Sequence, residues 1–289
     1  MRRLLIVGCG DVALRAISLL KKNYLVIALV RDPAKRAGLR ALGVTPLLGD
    51  LDDRASLARI AGLAHEILHF APPPNAGKQD SRTRNLLSTL SQGKPPKRLV
   101  YISTSGVYGD RGGAWVSETH PLKATSSRAQ RRVDAEMQIR VWARRNRVHA
   151  CILRVPGIYA AERLPLSRVQ QRTPGIIASE DGYTNHIHAD DLARISVAAL
   201  QHGKSCRVYH AGDDSQLKMG EYFDLVADAY HLPRVPRISR AEAQRVLPES
   251  LLSFMNESRR LSNQRMKREL KVVLRYPTVT DMLATIEHS

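Results

Sequence analysis

Short apolar runs alternate with amphipathic segments along the first half of the chain. The unbroken apolar runs predict buried strands at 4–7, 24–30, 44–48, 66–70, 98–103 and 150–155. Between these runs, apolar residues recur at helical spacing and predict helices over 11–22, 33–42, 53–62, 79–92 and 127–146. Alternation of this kind is typical of a parallel sheet with right-handed crossovers and helices on both faces.

This regular pattern loosens after residue 155, where prolines interrupt the chain repeatedly. A helix over 190–201 and a strand over 206–210 are predicted to rejoin the sheet. The sequence therefore predicts an α/β fold with two parts. Residues 1–155, together with about 186–211, form a Rossmann-type doubly wound parallel sheet, and about 156–185 and 212–289 form a smaller C-terminal α/β lobe.

The long predicted helix over 127–146 carries Val133, Met137 and Val141 at intervals of four residues, with Trp142 beside them. This spacing predicts that these side chains form the buried face of the helix. Arginines occupy much of its remaining surface and would bring like charges together if two copies met there. The sequence therefore leaves the oligomeric state open.

Composition excludes several protein classes. Apolar residues make up 43% of the chain, which is enough for a sizeable core and argues against disorder. No apolar run approaches the roughly 20 residues that cross a bilayer, and the run Leu4–Val7 is too short for a signal peptide. Cys9, Cys151 and Cys206 lie far apart, with no paired spacing for disulfides or a metal. These features favour a cytoplasmic protein with no metal site and no membrane partner.

The formal net charge of +18 is concentrated in the N-terminal half, because residues 1–150 carry +15 and residues 151–289 carry +3. A basic surface attracts anions such as dinucleotides, sugar diphosphates or nucleic acid. No basic stretch is interleaved with aromatic residues, so nucleic acid is not favoured as a partner. We expect a small anionic substrate, with nucleotide-linked compounds among the candidates.

A glycine-rich turn directly follows the first predicted strand. Residues 8–13 read Gly-Cys-Gly-Asp-Val-Ala, which is a GxGxxA pattern at the start of the first predicted helix. In such turns the first glycine permits a tight turn, and the second lets a pyrophosphate approach the backbone at the helix N-terminus. The sequence thus predicts a dinucleotide site, whose residues here are Gly8, Cys9, Gly10, Asp11 and Val12. The alternative is a turn of the same shape that has lost its ligand.

The end of the second predicted strand distinguishes NADP from NAD. An acidic residue there would bind the ribose 2′-hydroxyl of NAD and repel the 2′-phosphate of NADP. In this chain the strand is followed by Arg31, whose guanidinium suits a phosphate, with Lys35 and Arg36 nearby. Asp32 precedes Pro33 and is interpreted as a helix cap. We therefore expect NADP in preference to NAD.

Five further segments resemble motifs of the extended and atypical short-chain dehydrogenase/reductase superfamily. They follow one another in the superfamily's order at Gly49–Asp52, His69–Pro73, Tyr101–Gly109, Leu153–Tyr159 and Asn185–Leu192. The resemblance implies further cofactor contacts at Asp50, Leu51, Ala71, Pro72, Ser103 and Pro156. The chain looks like the atypical subgroup of NAD(P)-dependent epimerase/dehydratase proteins, which resemble nucleotide-sugar epimerases in fold.

This resemblance breaks off at the catalytic positions. The superfamily uses a Ser or Thr and then Tyr-x-x-x-Lys on the long helix, and these positions fall on Thr104, Arg128 and Arg132. Arginine does not release a proton at working pH, so Arg128 cannot replace the tyrosine as acid or base. It can instead bind a substrate phosphate or carboxylate. We predict catalytic roles for Thr104, as a hydrogen-bond donor, and for Arg128.

Several other side chains are open alternatives, with packing or loop ordering as the competing explanation for each. They are Ser105 in place of Thr104, and Tyr108, Tyr159, Glu118, His186 and His188 as proton-transfer groups. Asp190 or Asp191 is expected to cap the following helix.

Two functions are compatible with these features. The first is an NADP-dependent oxidoreductase or epimerase/dehydratase-like enzyme acting on an anionic substrate. The second is a non-catalytic protein that senses NADP(H) and signals to a partner, which the missing Tyr-x-x-x-Lys motif favours.

Overall fold

The computed structural model describes residues 1–286, apart from the side chains of residues 250 and 254. Its strands are β1 (Arg2–Val7), β2 (Tyr24–Val30), β3 (Thr45–Leu48), β4 (Glu66–His69), β5 (Arg98–Thr104), β6 (Trp115–Val116), β7 (His149–Val155), β8 (Gly157–Tyr159), β9 (Gly175–Ile176), β10 (His186–His188), β11 (Arg207–His210), β12 (Arg237–Ile238) and β13 (Arg260–Leu261).

The α-helices lie between these strands and beyond the last of them. They are α1 (Asp11–Leu20), α2 (Lys35–Ala41), α3 (Ser81–Leu90), α4 (Ser127–Asn146), α5 (Leu166–Gln170), α6 (Ala189–His202), α7 (Met219–Ala229), α8 (Arg240–Val246), α9 (Glu249–Met255), α10 (Gln264–Leu270) and α11 (Val279–Leu283). Short 3₁₀ helices span Ala55–Ile60, Ser105–Tyr108 and Ala161–Arg163.

Seven parallel strands form the central sheet in the order β11-β7-β5-β4-β1-β2-β3. The strand order reverses at β1, which pairs with β2 on one side and with β4 on the other. A crevice opens beyond the carboxyl ends of the strands at such a reversal, and ligands of doubly wound folds bind there. The predicted Rossmann-type fold is confirmed.

Each face of the sheet buries its own apolar layer because side chains alternate along a strand. Leu4 and Ile6 of β1 pack in one layer with helices α1 and α6, whereas Leu5 and Val7 belong to the opposite layer with α3 and α4. Since both faces are covered, the strands read as continuous apolar runs in the sequence.

Most predicted elements form where the pattern placed them. Strand 24–30 and helix 127–146 have the predicted limits. The helix predicted over 53–62 is instead a 3₁₀ helix over Ala55–Ile60. The Ser56 hydroxyl donates to the carbonyl oxygens of Asp50 and Asp53, and such local bonds compete with α-helical pairing.

The buried face predicted for α4 is right for Trp142 and wrong for Met137 and Val141, which are 57% and 45% exposed. Val133 is partly buried, and the buried face carries Ala135 and Ile139 together with Trp142. Both sets recur at helical spacing, so the sequence pattern alone selected the wrong stripe. The buried face also carries the charged Glu136, so a search for apolar residues at helical spacing does not identify this face.

The C-terminal segments build a second, smaller core next to the sheet. Helices α7 and α11 pack together around Phe223, Val226 and Met282, with Tyr159 at the edge of the same cluster. The expected lobe over 212–289 also includes 264–274, yet Met266, Leu270 and their neighbours pack against the sheet and α6. Its last residues, 287–289, lie outside the described part of the chain.

No helix within residues 1–286 is long and apolar enough to cross a membrane.

Candidate functional site

The glycine turn lies at the strand reversal and borders a cavity of about 530 Å³, here called the cofactor cavity. Gly8 has φ +88°, and a Cβ there would lie 2.5 Å from the backbone nitrogen of Ala71. A side chain at Gly8 would therefore clash with the backbone. Gly10 has no heavy atom within 4 Å of an added Cβ. The space beside Gly10 at the start of α1 is thus open to a ligand.

Ten of the twelve residues predicted to bind the cofactor line this cavity. They are Gly8, Cys9, Gly10, Asp11, Val12, Arg31, Asp50, Leu51, Ala71 and Pro72. The other two lie elsewhere. Ser103 is 2% exposed and donates its hydroxyl proton to Glu136 over 2.6 Å, whereas Pro156 lines a second cavity.

The end of the cofactor cavity near β2 is lined by Arg31, Lys35 and the carboxylate of Asp32. Arg31 forms no hydrogen bond or ion pair within the described residues, and its charge acts at longer range on Asp52. Asp32 accepts from the backbone N–H of Ala34 at 2.9 Å, but Ala34 itself occupies the N-cap position of α2 and no side chain caps this helix, so the prediction that Asp32 caps it is wrong. The nearby Asp52 carboxylate is held by Arg82 through two bonds of 2.6 and 2.9 Å. Arg31 is therefore available to an anion.

A second cavity of about 740 Å³ lies between the sheet domain and the C-terminal lobe. We call it the lobe cavity. It shares Pro72, Arg132, Ile158 and Arg163 with the cofactor cavity, so the two cavities adjoin at these residues. Thr104 and the alternative Ser105 both line the lobe cavity. The Thr104 hydroxyl oxygen accepts from the N–H of Gly106 at 3.2 Å, which leaves its own proton available to a ligand.

The two arginines at the catalytic positions of α4 both line the lobe cavity. Arg128 is exposed, whereas Arg132 is half-buried at the junction of the cavities. Arg132 donates to the carbonyl oxygen of Ile102 at 2.6 Å and to the Tyr101 hydroxyl at 3.0 Å. Burial raises the pKa of Tyr101 to about 12, so its hydroxyl stays protonated near neutrality. These contacts hold a cation where the superfamily has a lysine.

Arg154 and Glu136 form a buried ion pair that contacts Tyr108 in the segment after β5. Arg154 donates to both carboxylate oxygens of Glu136, at 2.7 and 3.1 Å, and the side chains are 4% and 3% exposed. The same guanidinium donates to the Tyr108 hydroxyl at 2.6 Å, and that hydroxyl also contacts His210 at 2.6 Å. Tyr108 is fully buried and lies outside the lining of the lobe cavity, so its role in this structure is packing.

Tyr159 differs from Tyr108 because it lines the lobe cavity. Its hydroxyl is buried near the Asp213 carboxyl and, like one oxygen of that carboxyl and the Nδ1 atom of His186, has no hydrogen-bond partner among the described residues. Burial raises the pKa of Asp213 to about 7 and raises the pKa of Tyr159 as well. Burial lowers the pKa of His186 to about 4, so its ring is neutral.

The remaining alternatives have structural contacts. Glu118 is 8% exposed, lies beside Arg265, and does not line the lobe cavity. His188 caps α6, since its Nδ1 accepts from the N–H of Asp190 at 3.2 Å. The prediction that Asp190 or Asp191 caps this helix is therefore wrong, because the cap position belongs to the residue before α6. Asp191 instead accepts two backbone N–H groups at 2.8 Å from residues 275 and 276.

A family model described as the NAD dependent epimerase/dehydratase family matches residues 16–212. The chain belongs to this family. The predicted family resemblance is thereby confirmed, and the match begins just after the glycine turn that the cofactor cavity contains.

The individual proteins that match this family member have low sequence identity to it. A protein of Schizosaccharomyces pombe that is named only as uncharacterized is 24% identical over 242 residues, covering 78% of each chain. The solved structure of a functionally unknown protein from Silicibacter pomeroyi is 26% identical, with a TM-score of 0.79 over 100% of this chain and 99% of that one. A UDP-glucuronic acid 4-epimerase from Bacillus cereus, solved with UDP-glucuronic acid and NAD, is 19% identical, with a TM-score of 0.77 over 99% and 98%. At that identity the epimerase shows a shared fold.

The structure also places residues in the site of this epimerase/dehydratase family protein that sequence reasoning missed. Arg131, Arg163, Arg168 and Arg259 line the lobe cavity together with the two arginines at the catalytic positions. They come from the N-terminal part of α4, the 3₁₀ turn after β8, α5 and the residue before β13. No spacing rule connects such distant segments, so the sequence carried only the overall excess of arginine as a signal.

Proposed function

We propose that this family member is an NADP(H)-dependent oxidoreductase of the epimerase/dehydratase type that acts on a small anionic substrate. The observation that carries the proposal is the pair of adjoining cavities, one bordered by the glycine turn and the other lined by arginines and Thr104. The dinucleotide supplies hydride transfer when it is bound. A nucleotide-linked substrate is consistent with the UDP-glucuronic acid bound by the Bacillus cereus epimerase.

The cofactor cavity fits a dinucleotide on physical grounds. The open side of Gly10 and the N-terminus of α1 would receive the pyrophosphate, because backbone N–H groups there have no partners within the helix. Arg31 and Lys35, which outnumber the nearby Asp32 carboxylate, would receive the 2′-phosphate, and β2 itself ends at Val30 without an acidic residue. These features support NADP over NAD.

In the lobe cavity, Thr104 is proposed to donate its hydroxyl proton to a substrate oxygen or to the carboxamide of the cofactor. Arg128 is proposed to bind an anionic group of the substrate rather than to move a proton. Of the alternative proton-transfer groups, Tyr159 and His186 line the cavity. The sparse, unpaired cysteines support a cytoplasmic location for such an enzyme.

Calorimetric titration with NADPH and NADH tests the cofactor assignment. We expect NADPH to bind more tightly, and Arg31→Ala to weaken NADPH binding by roughly tenfold to a hundredfold, because charged hydrogen bonds contribute about 1.5–3 kcal/mol. NADH binding should change little in the same variant. Arg40→Ala is the matched control, since Arg40 is exposed on α2 and lies outside the cavity.

A second arm of this titration tests the glycine turn itself. Gly10→Val should lower stability by only about 1 kcal/mol, since Gly10 is the N-cap of α1 and a side chain there would meet no other residue, and should lose NADPH binding because the new side chain fills open space where the phosphates would lie. If neither dinucleotide binds the wild-type protein, the turn has another ligand and the proposed function is wrong.

The alternative is an NADP(H)-sensing protein without catalysis, and the arginines at both catalytic helix positions favour it. It predicts that NADPH changes oligomeric state or partner binding, and that Thr104→Ala leaves this response intact. The enzyme predicts instead that Thr104→Ala reduces turnover, followed as the 340 nm absorbance of NADPH across a panel of nucleotide-linked sugars. Turnover that requires Thr104 would rule out the sensor.

A further inference from the structure

The sheet domain separates its charges between the two ends of its strands. None of the connections that lead into β2, β3, β4, β5, β7 and β11 carries an aspartate or glutamate. These connections span 21–23, 42–44, 61–65, 91–97, 147–148 and 203–206. Acidic residues such as Asp32 and Asp50 instead follow strands, at the carboxyl ends where the cofactor cavity lies. The face at the amino ends of the strands is therefore basic.

Six cations at these amino ends are exposed and form no ion pair within residues 1–286. We call them the basic edge, which consists of Arg3, Lys21, Lys22, Lys94, Lys97 and Arg147. Two carboxylates nearby, those of Glu66 and Glu269, are buried and already paired, with Arg2 at 3.4 Å and with Arg207 at 2.5 Å. They do not neutralise the basic edge.

Backbone hydrogen bonds place these cations in a line along the sheet. The N–H of His65 donates to the carbonyl oxygen of Arg3 at 2.9 Å, and the N–H of Lys97 donates to that of His65 at 2.7 Å. The N–H of His149 in turn donates to the carbonyl oxygen of Lys97 at 3.0 Å. On the other side of β1, Lys22 precedes β2. Since neighbouring strands lie about 4.8 Å apart, the line from β7 to β2 is roughly 19 Å long.

Helix C-termini account for only part of this charge. Helices α1, α2, α3, α4 and α6 end at this face, and basic residues are favoured there because each helix end carries roughly half a negative charge. Five such ends offset fewer than about three cations, and Arg144 and Arg145 in the last turn of α4 already supply two. The basic edge therefore holds an excess of positive charge, which attracts an external anion.

The composition of this face indicates the kind of anion. None of the six connections carries an aromatic residue, so the face offers no stacking platform for single-stranded bases and no aromatic anchor for a membrane surface. A duplex backbone requires only cations. Each strand of a duplex carries a phosphate about every 3.4 Å, so a line of roughly 19 Å faces about six phosphates. The six cations of the basic edge match that number.

We propose that the basic edge binds the phosphate backbone of a nucleic acid duplex without reading its bases. The proposal does not depend on the proposed function, because both cavities lie at the carboxyl ends of the strands. Strand β5 runs from Arg98 beside the basic edge to Thr104 in the lobe cavity, and its seven residues separate the two sites by roughly 20 Å. A duplex and a dinucleotide therefore bind at the same time.

Fluorescence anisotropy with a labelled DNA duplex of about 20 base pairs, longer than the line of cations, tests the proposal. We expect the logarithm of the association constant to fall with the logarithm of the salt concentration with a slope of about −5, since each phosphate contact contributes about −0.9. Duplexes of unrelated sequence should bind equally, and saturating NADPH should not displace them. An RNA duplex of the same length, measured in parallel, shows which nucleic acid fits the edge better.

A triple variant assigns this binding to the basic edge. Lys22→Gln, Lys97→Gln and Arg147→Gln together remove three of its exposed cations. We expect at least tenfold weaker duplex binding at about 100 mM salt and a slope reduced by about 2.7. The circular dichroism spectrum and the urea midpoint should not change, because none of the three side chains has an ion-pair partner among the described residues.

The matched control removes the same charge from exposed positions outside both cavities. It combines Arg54→Gln, Lys123→Gln and Arg245→Gln, and its slope should stay at the wild-type value. Equal losses in the two triple variants would show attraction to the overall charge of the protein and would overturn the proposal. Absence of duplex binding by the wild-type protein would overturn it as well. If phosphatidylserine vesicles bind instead and the edge variant loses them, the face belongs to a membrane surface.

Discussion

Arg154→Met is expected to lower the free energy of unfolding by about 3–5 kcal/mol, which is the typical effect of removing one partner of a buried ion pair. The change leaves the buried Glu136 carboxylate with the Ser103 hydroxyl as its remaining donor among the described residues. It also removes a hydrogen bond to Tyr108. Urea denaturation followed by circular dichroism measures the loss.

A double variant shows whether the pairing causes this loss. Arg154→Met combined with Glu136→Gln replaces the charged pair by neutral groups of similar size, and we expect it to recover much of the stability lost in Arg154→Met. Arg234→Met is the surface control, because the Arg234–Asp228 pair is exposed and its loss should be hard to detect. A double variant less stable than Arg154→Met alone would contradict this account.

Asp213→Asn is expected to stabilise the protein above neutral pH and to have less effect in acid. Burial raises the pKa of Asp213 to about 7 in the folded protein, against a reference value of 3.8. Between these values the folded carboxyl keeps its proton while the unfolded one has lost it. Wild-type stability therefore falls as pH rises towards 7 and levels off above it. Asparagine has no proton to lose and removes this dependence.

The difference between the folded and unfolded pKa values sets the size of the effect. Each pKa unit corresponds to about 1.36 kcal/mol, so the gain in unfolding free energy of Asp213→Asn over wild type should grow by roughly 3 kcal/mol between pH 5 and pH 8. The groups around this carboxyl include Tyr159, Tyr222, Asp214 and the N–H of Ser215, which donates to it at 2.9 Å. Urea denaturation at both pH values measures the difference.

Asp214→Asn is the matched control for that measurement. Asp214 is the next residue along the chain, but its carboxylate is partly exposed and binds Lys267 at 2.6 Å. We expect the difference in unfolding free energy between Asp214→Asn and wild type to stay constant from pH 5 to pH 8. A constant difference between wild type and Asp213→Asn from pH 5 to pH 8 would show that the carboxyl titrates normally.

The Rossmann core and the cofactor turn were accessible from sequence because their signals are local. A strand buried on both faces reads as an apolar run, as in β2, and a turn that excludes a Cβ requires glycine, as at Gly8. The wrong assignment of Met137 and Val141 to the buried face of α4 also has an identifiable cause. Two sets of residues recur at helical spacing on this helix, and the buried set includes Glu136, whose burial depends on its ion pair with Arg154 of β7.

The sequence by itself determined the order of elements, the fold class, the place of the glycine turn and the loss of the tyrosine and lysine from α4. Tertiary structure alone decided which arginines meet in the lobe cavity, which of them have carboxylate partners, and that Tyr159 rather than Tyr108 reaches the cavity. The physical reason is distance along the chain. Periodicity and turn chemistry act over a few residues, whereas charge balance in a cavity depends on side chains from segments more than a hundred residues apart.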